Sequence, residues 1–245
     1  DRARALGDTA VGRAAAQAML APARLTALAR AVALDRTQPA ARYGEPAPVI
    51  TPGPGGTSHI CVVDRDGNAV SLTTTVNGYY GAKLVTPGGV VLNNQIDDFA
   101  VAVDVANMYG LRQGVENLVG PGKRPLSSMT PVLVLDGDRV VGCVGGSGGP
   151  RIISNTLQVL LDLFVFGLDP AAAVAAPRIH HQWQPDALVV EPELPAAVRR
   201  ELAARGHHLE ETGDVTAVQA IVVGPAGAVG ASDPRKNGAR AAAPR

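Results

Sequence analysis

Gly55-Gly56-Thr57-Ser58-His59 is the junction at which the chain changes from loop to strand. The preceding Thr51-Pro52-Gly53-Pro54 has the glycine and proline content of an exposed linker. The following residues alternate apolar and polar side chains and continue through an Asp66-Gly67 turn, a pattern typical of a β-hairpin. Thr57 is therefore predicted at the entry to a strand, directly behind an exposed peptide bond.

The position of Thr57 is one that a nucleophile could use. A threonine hydroxyl alone is a poor nucleophile, but a free α-amine on the same residue, with a pKa of about 8, would act as its general base. Cleavage of the Gly56–Thr57 bond would create that pairing. A linker that simply meets a domain explains the same residues, and the junction alone does not decide between the two interpretations.

The composition is that of a globular chain without a charge bias. Its 245 residues are enough for one large domain or two small ones, and 46% are hydrophobic, which argues against a disordered tail. The 22 basic and 22 acidic residues cancel, so charge gives no argument for binding to nucleic acid or to an anionic membrane.

Neither a disulfide nor a metal site is expected from the spacing of cysteine and histidine. Cys61 and Cys143 fall in separate predicted strands and form no recognisable framework, so both are predicted to be buried free thiols. Adjacent histidines on a strand point to opposite faces, and no cysteine or carboxylate spacing completes a site. The histidines considered are His59, His180, His181, His207 and His208. No cofactor is expected.

No apolar run reaches the roughly 18 residues of a membrane span. The longest candidate, residues 159–166, is short and contains Asp162. The sequence predicts no membrane-spanning segment.

Periodicity predicts early strands, central helices and late strands, an α+β pattern. Residues 1–36 have helical spacing broken at Pro22, and Asp35 to Gly56 is predicted to be a linker. Strands are predicted at 58–63, 68–76, 89–93, 131–135, 139–145, 188–191, 218–223 and 228–230. Helices are predicted at 151–166, 170–176 and 195–205, an irregular loop at 99–120, and a frayed tail after Asp233.

Six motifs occur in order along the chain. They are Thr57-Ser58-His59, Asp64-Arg65-Asp66-Gly67-Asn68-Ala69-Val70, Leu92-Asn93-Asn94-Gln95-Ile96-Asp97-Asp98-Phe99, Gly122-Lys123-Arg124-Pro125-Leu126-Ser127-Ser128-Met129, Gly145-Gly146-Ser147-Gly148-Gly149 and Ala176-Pro177-Arg178-Ile179-His180-His181-Gln182-Trp183. In this combination the chain resembles the small subunit of gamma-glutamyl transpeptidases, which are N-terminal nucleophile hydrolases.

The resemblance implies a four-layer αββα sandwich, of which this chain would form the small-subunit half. Residues 1–56 would be the C-terminal segment of the large subunit with the linker to the cleavage site, and residues 57–245 the small-subunit catalytic domain. The family's large subunit is several times longer than residues 1–56 and contributes an arginine to the substrate carboxylate. A partner is therefore expected: the remaining large-subunit portion, in the same precursor or as a separate chain.

The resemblance also implies catalytic roles. Thr57 would be the nucleophile and Thr75 the residue that steadies it, although threonine is also an ordinary strand residue. The backbone N–H groups of Gly148 and Gly149 would hold the oxyanion at a helix N-terminus. A phosphate-binding loop ranks lower, because Arg151 stands where a dinucleotide motif needs a third glycine and no Walker lysine follows.

A γ-glutamyl substrate presents an ammonium and a carboxylate that need separate partners. By resemblance, Asn77, Gln95 and Asp98 would bind the ammonium, Ser127 and Ser128 the carboxylate, and Tyr109 would be a lid aromatic. Each of these residues also has a local structural explanation, such as closing a turn or capping a helix. Two departures from the family pattern are Ser58, where a second threonine is commoner, and Pro150, where serine is usual.

The implied function is a self-processing γ-glutamyl acyltransferase or hydrolase that cleaves γ-glutamyl amides such as glutathione through a γ-glutamyl–Thr57 ester. A poly-γ-glutamate depolymerase or a β-lactam side-chain acylase shares the motifs. A non-catalytic remnant that binds or assembles is the alternative from another class. By resemblance, the protein is expected in the periplasm or outside the cell.

Overall fold

The computed structural model describes residues 2–43, 55–213, 216–236 and 240–242. Half of the predicted linker, residues 44–54, lies outside the described residues. The helices are α1 Arg2–Ala5, α2 Ala10–Met19, α3 Pro22–Ala31, α4 Arg151–Phe164, α5 Pro170–Ala175 and α6 Ala196–Ala204. The strands are β1 Gly55–Val63, β2 Ala69–Gly78, β3 Val132–Asp136, β4 Arg139–Ser147, β5 Ile179–His180, β6 Leu188–Val190, β7 Leu209–Glu211, β8 Ala217–Gly224 and β9 Gly227–Ser232.

The strands form a hairpin and two sheets. Strands β1 and β2 pair antiparallel, with Thr57 opposite Thr75 and Val63 opposite Ala69. The second sheet has the order β3-β4-β8-β9, and the third has the order β5-β6-β7. The N-terminal helices follow the sequence signals: the Thr9 hydroxyl accepts from the Gly12 backbone N–H, and Pro22 begins α3, where its missing N–H costs nothing.

Strand β4 lies between the hairpin on one side and helices on the other. Gly142 and Val144 face α4, where Val144 joins a core with Val159 and Leu163. Cys143 and Gly145 face β1, against Cys61 and the His59 ring. Both faces are buried, which explains why β4 reads as a continuous apolar run. The last residues of this strand lead directly to Gly148 and Gly149.

The outer face of the hairpin is apolar and exposed. Ile60, Val62, Val70 and Leu72 are 48%, 51%, 55% and 48% exposed. They alternate with the inward residues of the two strands, so they form one stripe. Among the described residues, nothing covers this stripe.

The prediction of free thiols at Cys61 and Cys143 is wrong, because the two residues form a disulfide. They are 82 residues apart in sequence, and their Cα atoms are 5.9 Å apart. That distance is within the normal range for a bridge. Sequence spacing gave no sign of it, because the packing of the hairpin on β4 creates the contact.

Several element predictions were also wrong. The strand predicted at 89–93 is not a regular strand: it follows a turn closed by the Gly89 N–H to Thr86 C=O bond of 2.9 Å and contributes only a bridge between Val85 and Val91. Strands β5 and β7 are too short, at two and three residues, to give a periodic signal. The segment predicted to fray after Asp233 is held at its start, since Asp233 is 1% exposed and Arg235 and Lys236 form hydrogen bonds.

The membrane prediction concerns helices alone. Within the described ranges, the structure contains no helix both long and apolar enough to cross a membrane.

Candidate functional site

Thr57 and Thr75 meet across the hairpin. They are cross-strand partners, and their hydroxyl oxygens are 2.8 Å apart. Thr57 is only 7% exposed. The Thr75 hydroxyl also accepts from the Asn77 backbone N–H at 2.7 Å and lies 3.5 Å from the Gly56 carbonyl oxygen. The second threonine therefore contacts both the first hydroxyl and the carbonyl of the bond before it.

Asn77, Gln95 and Asp98 form a buried polar cluster beside this pair. The Asn77 side-chain amide donates to one Asp98 carboxylate oxygen at 3.1 Å, and the Gln95 amide donates to the other at 2.6 Å. Gln95 and Asp98 begin and end a 3-10 helix, Gln95–Asp98, which places the Gln95 side chain against the Asp98 carboxylate. Asn77 itself has a φ of 72°, a conformation that asparagine tolerates better than most residues. Burial raises the pKa of Asp98, and the two amide donors oppose that rise.

Tyr109 closes the cluster from the irregular loop between residues 99 and 120. Its hydroxyl donates to the Asn77 side-chain oxygen at 2.6 Å, and the residue is 5% exposed. Burial, together with the neighbouring Asp98 and Asp97 carboxylates, raises the pKa of Tyr109 to about 12. The phenol is therefore a neutral donor at physiological pH.

Ser127 and Ser128 lie on the other side, in contact with an arginine that the sequence reasoning missed. The Arg2 guanidinium donates to the Ser127 carbonyl and to the Ser128 hydroxyl, both at 3.1 Å. It also interacts electrostatically with Asp98. Arg2 belongs to a four-residue helix that is distant in sequence, so no local motif could reveal its position.

Gly148 and Gly149 form the tight turn between β4 and α4, with φ angles of 131° and 59°. A side chain is excluded at Gly148 and crowded at Gly149. A Cβ at Gly148 would collide with Thr216, and one at Gly149 would lie 3.1 Å from the Tyr109 ring. The turn leads into the positive N-terminal end of α4, a helix of 14 residues. Backbone N–H groups in such a turn suit an oxyanion.

One small cavity brings nine of the ten predicted catalytic and substrate-binding residues together, all except Gly148. It is lined by Thr57, Thr75, Asn77, Gln95, Asp98, Tyr109, Ser127, Ser128, Met129, Gly149 and Ile152. Its volume of about 20 Å³ is enough for roughly one water molecule. The apolar members Met129 and Ile152 were not predicted, because apolar residues in these patterns look like ordinary core positions.

Two residues of the C-terminal segment, Asp233 and Lys236, form hydrogen bonds that hold the elements of the site in place. The Lys236 ammonium donates to the Thr57 carbonyl oxygen at 2.6 Å, and burial lowers its pKa. The buried Arg178 donates to the Asp233 carboxylate at 2.6 Å and to the Thr216 carbonyl at 2.9 Å. Thr216 is the residue that packs against Gly148. These contacts tie the threonine strand and the glycine turn to one segment.

The His180 ring is held by side chains of the surrounding fold. Its ring nitrogens bond to the Ser154 hydroxyl at 2.7 Å and to the Gln182 side-chain oxygen at 3.1 Å. Burial lowers the pKa of His180 to about 4. His181 instead lies 3.2 Å from Asp186, near the surface.

Comparisons with known proteins agree on one family. The family model described as Gamma-glutamyltranspeptidase matches residues 1–243. The glutathione hydrolase proenzyme of Escherichia coli K12 is 40% identical over 239 residues, which cover 96% of this chain and 41% of that protein. The putative inactive glutathione hydrolase 4 of Arabidopsis thaliana is 45% identical over 138 residues, covering 56% of this chain and 72% of that protein.

Among solved structures, the gamma-glutamyltranspeptidase from Pseudomonas nitroreducens in complex with L-DON has a similar fold. The TM-score is 0.71 at 40% identity, and the match covers 76% of this chain and 99% of that one. The present chain spans less than half the length of the Escherichia coli relative. From the full-length family match and these similarities, the chain belongs to the gamma-glutamyltranspeptidase family.

Proposed function

We propose that this protein is a self-processing acyltransferase or hydrolase that cleaves γ-glutamyl amides such as glutathione through a γ-glutamyl–Thr57 ester. The observation that carries the proposal is the cavity in which Thr57 and Thr75 meet Gly149 and the Asn77–Gln95–Asp98 cluster. The name of the Escherichia coli relative, a glutathione hydrolase proenzyme, supports both the substrate class and the processing.

Processing would begin at the Gly56–Thr57 bond. The Thr57 hydroxyl attacks the Gly56 carbonyl carbon, the C–N bond breaks, and the acyl group passes from nitrogen to oxygen as an ester. Water then hydrolyses the ester, leaving a Gly56 carboxylate and a free Thr57 α-amine. The Thr75 hydroxyl supports this step, since it lies 2.8 Å from the attacking oxygen and 3.5 Å from the carbonyl oxygen that gains charge.

The mature site would then use the new amine as a general base. The amine takes the Thr57 hydroxyl proton as the oxygen attacks the γ-carbonyl of the substrate, and the N–H groups of Gly148 and Gly149 hold the oxyanion. The leaving amine takes the proton, and a γ-glutamyl ester remains on Thr57. Water completes hydrolysis, and an acceptor amine completes transfer.

The α-ammonium and the α-carboxylate of the substrate would bind to different residues of the cavity. The Asp98 carboxylate, with the Asn77 and Gln95 side chains, suits the α-ammonium, and ionisation of Asp98 becomes favourable once that cation is beside it. Ser127 and Ser128 suit the α-carboxylate, with the Arg2 guanidinium 3.1 Å from Ser128 as a nearby cation. Because the cavity holds only about 20 Å³, the Tyr109 loop must move before a γ-glutamyl group can enter.

The proposed partner is the rest of a large subunit. Residues 1–56 would be its C-terminal segment and residues 57–245 the small subunit, which together with that partner would form a four-layer αββα sandwich. The exposed stripe of Ile60, Val62, Val70 and Leu72 supports this, because four partly exposed apolar side chains on one hairpin face favour burial under another layer. The chain spans 41% of the length of the Escherichia coli relative.

A non-catalytic remnant is the second candidate, since one relative is called putatively inactive. The two candidates differ in two measurements on the protein expressed from its complete reading frame: intact mass after incubation, and turnover of γ-glutamyl-p-nitroanilide. The enzyme is expected to give two pieces separated before Thr57 and to release p-nitroaniline. Thr57→Ala should remain one piece without turnover. One persistent piece with no turnover in the unsubstituted protein would support the remnant.

A further inference from the structure

His59, Cys61 and Cys143 form a three-residue cluster that the proposed reaction does not use. One ligand atom from each lies within 4.8 Å of the other two. His59 and Cys61 are two residues apart on β1 and so point to the same face, where Cys143 of β4 meets them. The sequence spacing gave no indication of this cluster, because Cys143 comes from a different sheet.

The His59 ring is oriented as a metal-binding imidazole would be. Its Nδ1 lies 2.8 Å from the Thr73 hydroxyl, and its Nε2 lies 3.4 Å from the Cys61 sulfur. A bond from Nδ1 to Thr73 leaves the Nε2 lone pair facing the sulfurs. The ring also packs on Gly145, where a Cβ would collide with it, so its position is fixed.

The distance between His59 and Cys61 suits a small tetrahedral cation, and reduction of the disulfide frees the two sulfurs to separate around it. With zinc–sulfur and zinc–nitrogen bonds of about 2.3 and 2.05 Å, tetrahedral geometry needs a nitrogen–sulfur separation of roughly 3.5 Å. The His59–Cys61 separation of 3.4 Å already meets this requirement. The Ser71 hydroxyl, 3.4 Å from the same His59 nitrogen, or a water molecule can supply the fourth ligand.

We propose that the reduced form of this cluster is a binding site for a thiophilic divalent cation such as zinc, in competition with the Cys61–Cys143 disulfide. Two molecules of a small thiol supply two electrons and two protons, become a disulfide themselves, and leave two protein thiols. The cation then displaces both thiol protons and binds two thiolates and the His59 imidazole. The two thiolate charges balance the divalent cation, so the buried site is neutral overall.

The cluster is accessible from solvent on one side. His59 and Cys61 line an open cavity of about 740 Å³, which is also bordered by Ser58, Gln219 and Lys236. A small thiol and a hydrated cation can enter a space of that size. Lys236 and Arg240 give this cavity a positive border, which favours an anionic thiol as the reductant.

The test is a cobalt titration of the protein in its two redox forms. The chain reduced anaerobically with a phosphine, and then freed of it, is expected to bind one cobalt ion, with a thiolate-to-cobalt charge-transfer band and the visible bands of tetrahedral cobalt. The oxidised chain and the reduced chain alkylated with iodoacetamide should show neither band. Added zinc should abolish the spectrum.

Variants test whether the cobalt spectrum comes from this cluster or from other histidines. Cys61→Ser and Cys143→Ser should each weaken the charge-transfer band, and Thr73→Val, which removes the partner of His59, should weaken affinity by about 10–100-fold. His208→Ala, an exposed histidine outside the cluster, should leave the titration unchanged. The proposal is overturned if the reduced chain shows no charge-transfer band, or if the oxidised chain gives the same spectrum. Because these two forms share one sequence, that result holds even if a variant fails to fold.

Discussion

The hydroxyl oxygens of Thr57 and Thr75 lie 2.8 Å apart across β1 and β2, and the Asn77 backbone N–H donates to Thr75 at 2.7 Å. Since that N–H occupies one acceptor position, the Thr75 hydrogen is free to point at the Thr57 hydroxyl or at the Gly56 carbonyl. One side chain can thus serve two successive reactions, the scission of the chain and the attack on substrate.

Thr75→Val tests this double role. Valine keeps the shape of the side chain but removes its hydroxyl. Losing one such hydrogen bond at a centre that gains charge should slow both processing and turnover by about 10–100-fold. Processing is followed by intact mass against time, and turnover by p-nitroaniline release. Thr75→Ser should restore both rates, and Thr74→Val, on the opposite, exposed face of β2, should change neither. Normal processing in Thr75→Val would show that its hydroxyl is only structural.

Asp98→Asn tests recognition of the substrate ammonium. The amide carries no charge, and its NH2 group would face Asn77 or Gln95, both of which already donate to this position. We expect kcat/KM for γ-glutamyl-p-nitroanilide to fall by about 10–100-fold, mainly through KM. Asp97→Asn is the matched control, because its neighbouring carboxylate is exposed and bonds only to Asn94 at 2.7 Å among the contacts described. An unchanged KM in Asp98→Asn would rule out this role.

Gly149→Ala and Gly137→Ala form a matched pair for the oxyanion turn. Both glycines have positive φ angles, 59° and 58°, so both alanines carry a similar backbone cost of about 1–2 kcal/mol. Only at Gly149 does the new Cβ also press on the Tyr109 ring, at 3.1 Å, whereas Gly137 has open space around it. Both variants are expected to lose a similar free energy of unfolding, measured in urea. Only Gly149→Ala is expected to lose turnover. Equal turnover in the two variants would show that this turn has no role in catalysis.

The local part of the fold could be predicted from sequence, and the tertiary contacts could not. The hairpin around Asp66-Gly67 and helix α4 after the glycine turn have short-range signals, and the structure confirms both. The Cys61–Cys143 bridge and the place of Lys236 beside Thr57 depend on how distant strands pack, which no spacing encodes. The strand prediction at 89–93 was wrong for a different reason: Val90, Val91 and Leu92 have the composition of a strand, but they are exposed and form only one bridge.

The same distinction holds for the candidate site: some of its residues were identified from sequence, and others are placed there only by tertiary contacts. Asn77, Gln95 and Asp98 were identified by resemblance, and the structure brings them together in one cavity. Arg2 was missed because a single arginine in an alanine-rich helix has no distinguishing pattern. Its contact with Ser128 exists only because α1 folds back over the loop that carries the serines.

His180 should make the stability of the fold depend on pH. The ring is 7% exposed, and one nitrogen faces a hydroxyl while the other faces an amide oxygen, an arrangement that suits the neutral form. Its pKa is lowered from 6.5 to about 4, so the unfolded chain binds the proton more readily between those values. The stabilising contribution is therefore present above pH 6.5 and is lost as the pH falls towards 4. For this one group the loss between pH 7 and pH 5 is at most about 2 kcal/mol. Urea unfolding at the two pH values measures it: His180→Gln should reduce the difference, while the exposed His208→Gln should leave it unchanged. If His180→Gln unfolds with the unsubstituted protein's pH dependence, His180 does not resist protonation in the folded state.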